Sequence, residues 1–116
     1  MSVISEKRPW GEFSVLGEAP DHKVKRITVS PGCRLSYQVH AHRSEHWFVV
    51  SGTGVVTIEG VDDPVGPGSC IDVPLGAAHR VASDGPGHLV FIEVQHGDSF
   101  AEDDIQRLED DFGRAG

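Results

Sequence analysis

The sequence predicts an all-β domain, a barrel or sandwich of short strands, followed by one short C-terminal helix. Three observations carry this expectation. From about residue 23 to residue 97 the chain is a series of short β-rich runs broken by Gly and Pro. No segment of helical period separates those runs, which is the pattern of an all-β fold rather than of strands joined by crossover helices. The length, 116 residues, suffices for one hydrophobic core and is too short for a second.

Taken in order, an N-terminal arm of about residues 1–22 precedes the expected barrel. The runs then fall at 23–29, 34–40, 45–51, 55–59, 69–73, 79–82 and 88–95. The breaks between them carry Pro31 and Gly32, Gly52 and Gly54, Pro64, Gly66 and Gly68, Pro74 and Gly76, then Gly85 and Gly87. Pro64, Pro67, Pro74 and Pro86 sit where a missing ladder N–H does least harm. The helix is expected over about 99–112. Ser99 with Glu102 reads as a capping box, and Ala101, Ile105, Leu108 and Phe112 make an apolar stripe at helical spacing. Gly113 can close it, and the acidic face reads as solvated.

Composition narrows the classes. No apolar run approaches the roughly 18 residues of a membrane span, and the N-terminus lacks the apolar core of a signal peptide. The expectation is a soluble cytoplasmic protein. Cys33 and Cys70 follow neither a redox nor a zinc-finger spacing and are expected as reduced, buried thiols. The net charge of −8 argues against nucleic acid as a partner. Seven acids from Asp98 onward, against Arg107 and Arg114, account for −5 of it, leaving −3 for the first 97 residues. An anionic ligand would therefore depend on local Lys and Arg.

The chemistry concentrates between Gly32 and Gly52. Strand alternation places Arg34, Ser36, Gln38 and His40 on one face, with Leu35, Tyr37 and Val39 on the other. Glu45 then opens an apolar strand through Trp47, Phe48, Val49 and Val50, and His79 ends a turn that begins near Gly68. These segments resemble the two signatures of the cupin family. The first, G-x5-H-x-H-x4-E-x6-G, is met by Gly32, Gln38, His40, Glu45 and Gly52, with Gln in the first His position. The second, G-x5-P-x-G-x2-H-x3-N, is met by Gly68, Pro74, Gly76 and His79, with Ser83 in the Asn position. Reading His40 and His42 as the histidine pair instead would leave the spacing to Glu45 too short.

The resemblance implies a jelly-roll (double-stranded β-helix) barrel holding one divalent metal ion on Gln38, His40, Glu45 and His79. Three ligands from adjacent strands and one from across the barrel can converge inside it. Two imidazoles, a carboxylate and an amide carbonyl suit Zn²⁺, expected first, or Mn²⁺, Co²⁺, Ni²⁺ or Fe²⁺. His42 and His46 are expected at the rim or outward.

A closer resemblance runs from about Arg8 to Arg114. It is carried by Arg8-Pro-Trp-Gly11, by the stretch from Lys23 to Thr53, by Pro74 to Arg80, by Ile92 to Gln95 and by the acidic tail through Arg107 and Arg114. Together these are similar to the type II phosphomannose isomerase cupin domain, usually the C-terminal part of bifunctional mannose-1-phosphate guanylyltransferase/mannose-6-phosphate isomerase proteins. The guanylyltransferase half has no counterpart in this chain. The resemblance implies interconversion of mannose 6-phosphate and fructose 6-phosphate through a cis-enediol. Its related type I enzymes use a Gln, two His and a Glu on zinc. Phe112 stands where the family often has Tyr.

Such a reaction needs a metal Lewis acid, a base to move a proton between C1 and C2, and cations for the phosphate and oxyanion. Arg34, on the inferred inward face, is the first candidate for phosphate or oxyanion binding. Lys25 and Arg80 are further cations, with Arg80 ranked lower because alternation turns it away from His79. Glu93 and Gln95 share one face of the last long strand, opposite Val90, Ile92 and Val94, and Glu93 is the candidate base. Arg107 and Arg114 could close over the mouth. Two other classes stay open: a non-catalytic sugar- or sugar-phosphate-binding cupin, and another small metal-dependent cupin enzyme such as a dioxygenase. Trp10, Tyr37 and apolar outward strand faces suggest a homodimer.

Overall fold

The computed structural model describes residues 4–101 and 103–114. Its strands, in chain order, are β1 (Ile4–Arg8), β2 (Gly11–Ala19), β3 (His22–Val29), β4 (Tyr37–Val39), β5 (Arg43–Ser51) and β6 (Gly54–Ile58). They continue with β7 (Val61–Val65), β8 (Cys70–Val73), β9 (His79–Ser83), β10 (Leu89–Gly97) and β11 (Gln106–Glu109). Two antiparallel sheets form, one of order β1-β2-β3-β10-β5-β8 and one of order β11-β4-β9-β6-β7. Their inner faces share a core, as the all-β jelly roll expected from the sequence requires. Among the described residues no helix is long and apolar enough to cross a membrane.

The core explains where a site can exist. On β3, β10 and β5 every second side chain points inward, and the register lines these up in tiers. Leu89 opposes Val29, and Phe91 opposes Ile27 and Val49, so the first tiers are apolar and buried. At the next tiers Glu93 opposes Lys25 and Trp47, and Gln95 opposes Lys23 and Glu45. These are buried as well. One half of the barrel is thus filled by hydrocarbon, with Trp47 and Phe91 rings 4.7 Å apart at the boundary. The other half is walled by polar side chains, and buried polar walls need partners.

Several expectations change. The arm of residues 1–22 contains β1 and β2, and β2 pairs with β3 along its length. Among the described residues the helix expected over 99–112 does not form; Glu102 of its capping box lies outside them. The tail instead supplies β11, which pairs with β4 at the edge of the five-stranded sheet. The reason is tethering. The Asp104 carboxylate accepts hydrogen bonds from Ala41 N and His42 N, and its carbonyl accepts one from His40. With that anchor, covering an open strand edge outweighs a short helix of marginal intrinsic stability. Leu108 and Phe112 of the supposed stripe stay exposed.

Cys33 and Cys70 are free thiols, but neither is buried as expected: Cys33 is half-buried and Cys70 is exposed. Trp10 is buried in the core, and the Tyr37 hydroxyl accepts from Gly60 N. The large apolar side chains that β5 leaves outward are Phe48 and Val50.

The turn from β5 to β6 depends on Gly52. Its φ is +81°, and a Cβ there would meet His88 O at 2.1 Å. Gly52→Ala is expected to cost about 2 kcal/mol or more, a fall of roughly 8 °C in Tm by thermal unfolding.

Candidate metal centre and its cavity

A cavity of about 310 Å³ occupies the polar half of the barrel. Gln38, His40, Glu45 and His79 all line it, with Arg43, Lys25 and Glu93. Gln38 and His79 are cross-strand partners on β4 and β9, and His40 follows β4 directly. Glu45 comes from β5 in the facing sheet. The ligand contributed from across the barrel is therefore Glu45, with the other three on one wall.

The two imidazoles are oriented by backbone carbonyls. His40 Nδ1 lies 2.6 Å from Asp104 O, and His79 Nδ1 lies 2.9 Å from Ala77 O. A carbonyl only accepts, so each ring carries its proton on Nδ1 and offers the Nε2 lone pair. Those lone pairs meet one carboxylate: His40 Nε2 is 3.3 Å from Glu45 Oε2, and His79 Nε2 is 3.9 Å from Glu45 Oε1. Three buried acceptors within 4.8 Å of one another form a group that could hold a metal ion. Converging acceptors repel unless a cation lies among them, so the donor set fits a divalent ion. The Gln38 amide nitrogen is engaged by Ser36 O and Oγ, which leaves Oε1 as its ligating atom.

Glu45 is itself held from both sides. Trp47 Nε1 donates to Oε1 at 2.9 Å, and Arg43 Nε donates to Oε2 at 3.0 Å. Burial pushes this carboxyl up, but His79, His40 and Arg43 together outweigh it and hold it below the usual range. Burial pushes the His40 imidazole down, favouring the neutral, ligating form.

Glu93 sits one tier deeper, buried, with Lys25 opposite it on β3. Burial first, and then the charge of Glu45, push its carboxyl up to about 8. Gln95 Nε2 donates to Glu93 Oε1. The Lys25 ammonium lies 4.1 Å from the centre of the Phe13 ring. A carboxyl poised near neutrality, beside a metal-capable cluster and in a cleft, has the character of an acid–base group.

The cationic candidates are rearranged. Arg34 is not part of the cavity wall. Before Tyr37 the chain makes only an isolated bridge, Arg34 to Ala82, so strand alternation does not extend back to it. Its guanidinium is exposed and pairs bidentately with Asp111 at 2.7 and 2.8 Å. Arg80 borders the cavity, but its head lies 3.6 Å from Glu109 and 5.9 Å from the Tyr37 ring, on the face of β4 opposite Gln38. Arg107 is the cation that β11 brings in. It is the register partner of Gln38, so the alternation that turns Gln38 inward turns Arg107 inward too. Arg8, Arg107 and Arg114 all line the cavity, partly exposed, and Arg107 Nε, like Arg80 Nη2, is buried with no hydrogen-bond partner among the described residues. His42 and His46 are exposed, as expected of rim residues.

Residues 3–110 match the family described as mannose-6-phosphate isomerase C-terminal. The chain belongs to that family. Mannose-1-phosphate guanylyltransferase ManC of Salmonella typhimurium is 47% identical over 107 residues, covering 92% of this chain and 22% of the relative. Alginate biosynthesis protein AlgA of Pseudomonas aeruginosa is 46% identical over the same share of each. This member of the mannose-6-phosphate isomerase C-terminal family thus spans about a fifth of the length of the curated relatives it matches. Among solved structures, the capsular polysaccharide assembling protein CapF of Staphylococcus aureus superposes with a TM-score of 0.84, at 23% identity, over 94% of this chain and 33% of that one. A Klebsiella pneumoniae protein with a double-stranded β-helix domain gives 0.73, at 24% identity, over 83% and 82%. Both likenesses concern the fold, which is the cupin barrel.

Proposed function

We propose that the chain is a metal-dependent sugar-phosphate isomerase that interconverts mannose 6-phosphate and fructose 6-phosphate. The observation that carries this reading is the meeting of three features in one small cavity: the His40–Glu45–His79 cluster, the buried Glu93 carboxyl and the unpartnered Arg107 Nε. About 310 Å³ lies at the small end of the roughly 300–1,000 Å³ of ligand sites, suited to one hexose phosphate.

A divalent ion on His40, Glu45, His79 and Gln38, zinc first among the candidates, supplies Lewis acidity for the sugar's oxygens. The remaining steps belong to side chains. Glu93 takes the C2 proton as the C1 carbonyl oxygen gains the electron pair, giving the enediolate, the anion of the cis-enediol. Glu93 returns that proton to C1 while the C2 hydroxyl proton moves to the C1 oxygen, leaving a ketone at C2 and a hydroxyl at C1. Lys25, opposite Glu93, stabilises charge on that wall. Arg107, with Arg8 and Arg114 beside it at the mouth, takes the phosphate through charge-assisted hydrogen bonds. This role passes to Arg107 from Arg34, which is exposed and paired with Asp111; Arg80, which also borders the cavity with a buried Nη2, is a further cation on that side.

Arg107→Ala is expected to raise KM for the sugar phosphate by roughly tenfold or more, in line with loss of a charged hydrogen bond of about 1.5–3 kcal/mol, with a smaller change in kcat. The reading itself is tested by NMR on isotopically labelled mannose 6-phosphate incubated with protein and Zn²⁺ or Mn²⁺. Appearance of labelled fructose 6-phosphate is the expected result. A bound but unconverted sugar phosphate would replace the isomerase reading with a binding module.

A further inference from the structure

The proposed reaction makes no use of Arg43. The side chain is only 7% exposed, on the inward face of β5 two residues before Glu45. Its Nε–H reaches Glu45 Oε2 at 3.0 Å, and its Nη2 lies 3.3 Å from His40 Nε2. Since His40 carries its proton on Nδ1, toward Asp104 O, the hydrogen bond at Nε2 is donated by Arg43. A neutral imidazole nitrogen has a single lone pair. Donation by Arg43 and coordination of an ion at His40 Nε2 are therefore mutually exclusive.

We propose that Arg43 is a resident cation that competes with the metal for His40 Nε2 and so sets the metal affinity of the site. This rests on the metal-holding part of the function proposed above. With no ion bound, the guanidinium offsets the repulsion among the three converging acceptors and keeps them together. When an ion enters, the guanidinium turns off His40. Glu45 keeps its orientation through that movement, because Trp47 Nε1 holds its other oxygen. The Glu93 carboxyl, which already feels the charge of Arg43, is an alternative acid for the displaced group. A fixed positive charge left close to a divalent ion weakens its binding. An outer partner that merely orients a ligand has the opposite signature: its loss weakens binding by roughly 10–100-fold.

The sign of the effect is the test. Zn²⁺ and Mn²⁺ are titrated by calorimetry, and by competition with a chromophoric chelator, into the chelated full chain, Arg43→Gln and Arg43→Lys. Arg43→Gln is expected to bind at least roughly tenfold tighter than the parent, with Arg43→Lys, which keeps the charge, closer to the parent. The chelated Arg43→Gln should unfold at a lower temperature than the chelated parent and gain more from added ion. Should it fold only with the ion present, it is purified loaded, and slower release to chelator than from the parent is the supporting result. A folded Arg43→Gln that binds equally or more weakly than a parent that binds the ion overturns the role of Arg43 alone. Failure of both proteins to bind any ion overturns the metal reading and this proposal with it.

Discussion

His79→Ala is expected to strip the protein of its divalent ion and abolish turnover. Three ligating groups converge at the centre, and His79 supplies one of the two neutral nitrogen donors. Its Nε2 faces Glu45 Oε1, while His40 Nε2 on the same wall faces Oε2. Without it, Glu45 and His40 are left with only the amide oxygen of Gln38 beside them and no longer enclose an ion, so the loss should exceed the roughly 10–100-fold typical of an outer partner. The fold should survive. His79 lines an existing cavity, so truncation enlarges a polar space rather than opening a void in hydrocarbon, and one of three mutually repelling acceptors is removed. Metal content after desalting, read beside the far-ultraviolet circular dichroism, checks this. A folded His79→Ala that retains a full equivalent of ion would remove His79 from the ligand set.

The second large effect belongs to Glu93→Gln. The substitution keeps shape and removes the base, so kcat should fall by roughly 10²–10⁴-fold while the metal content stays at the parent level. The parent's kcat/KM should rise with pH to a midpoint below about 8, because the carboxyl must be ionised to accept the C2 proton and a cation on Glu45 offsets part of the charge that holds it up. Stability moves the other way. The folded protein holds the Glu93 proton more tightly than the unfolded chain, whose carboxyl has the ordinary value of 4.5. This contribution is therefore fully present below about pH 4.5, is lost as pH rises toward about 8, and levels off beyond. In chelated protein, Glu93→Gln should lack that decline and melt above the parent at pH 8 and higher, as scanning calorimetry across the range would show. Near-parental turnover by Glu93→Gln would assign the proton transfer to another group, with Lys25 the nearest alternative on that wall.

Much of the site was legible because the segments from Gly32 to Gly52 and from Gly68 to His79 resemble the two cupin signatures, which single out Gln38, His40, Glu45 and His79. Alternation on an inward strand face sets Gln38 beside His40 and, on β10, points to Glu93. The rule failed where its premise did. Arg34 precedes the point at which β4 becomes a regular ladder, so its parity with Gln38 carries no direction. The tail failed for a different reason. Ala101, Ile105, Leu108 and Phe112 do have helical spacing, yet Asp104 binds the backbone of Ala41 and His42, a contact no local pattern reveals. That anchor turns the tail into β11 and brings Arg107 beside Gln38. Arg43 was reachable by alternation from Glu45. It reads as a surface charge because buried arginines are rare, and only the facing His40 shows what it does.

The central claim is that one ion, held by His40, Glu45 and His79 in this cavity, makes the chain an aldose–ketose isomerase. The measurement that tests it most directly is a coupled assay of fructose 6-phosphate formed from mannose 6-phosphate, on chelated protein before and after resupply of Zn²⁺, Mn²⁺, Co²⁺ or Ni²⁺. The account predicts no turnover after chelation and recovery with at least one of these ions. Folded protein that binds the ions and produces no fructose 6-phosphate with any of them would contradict it.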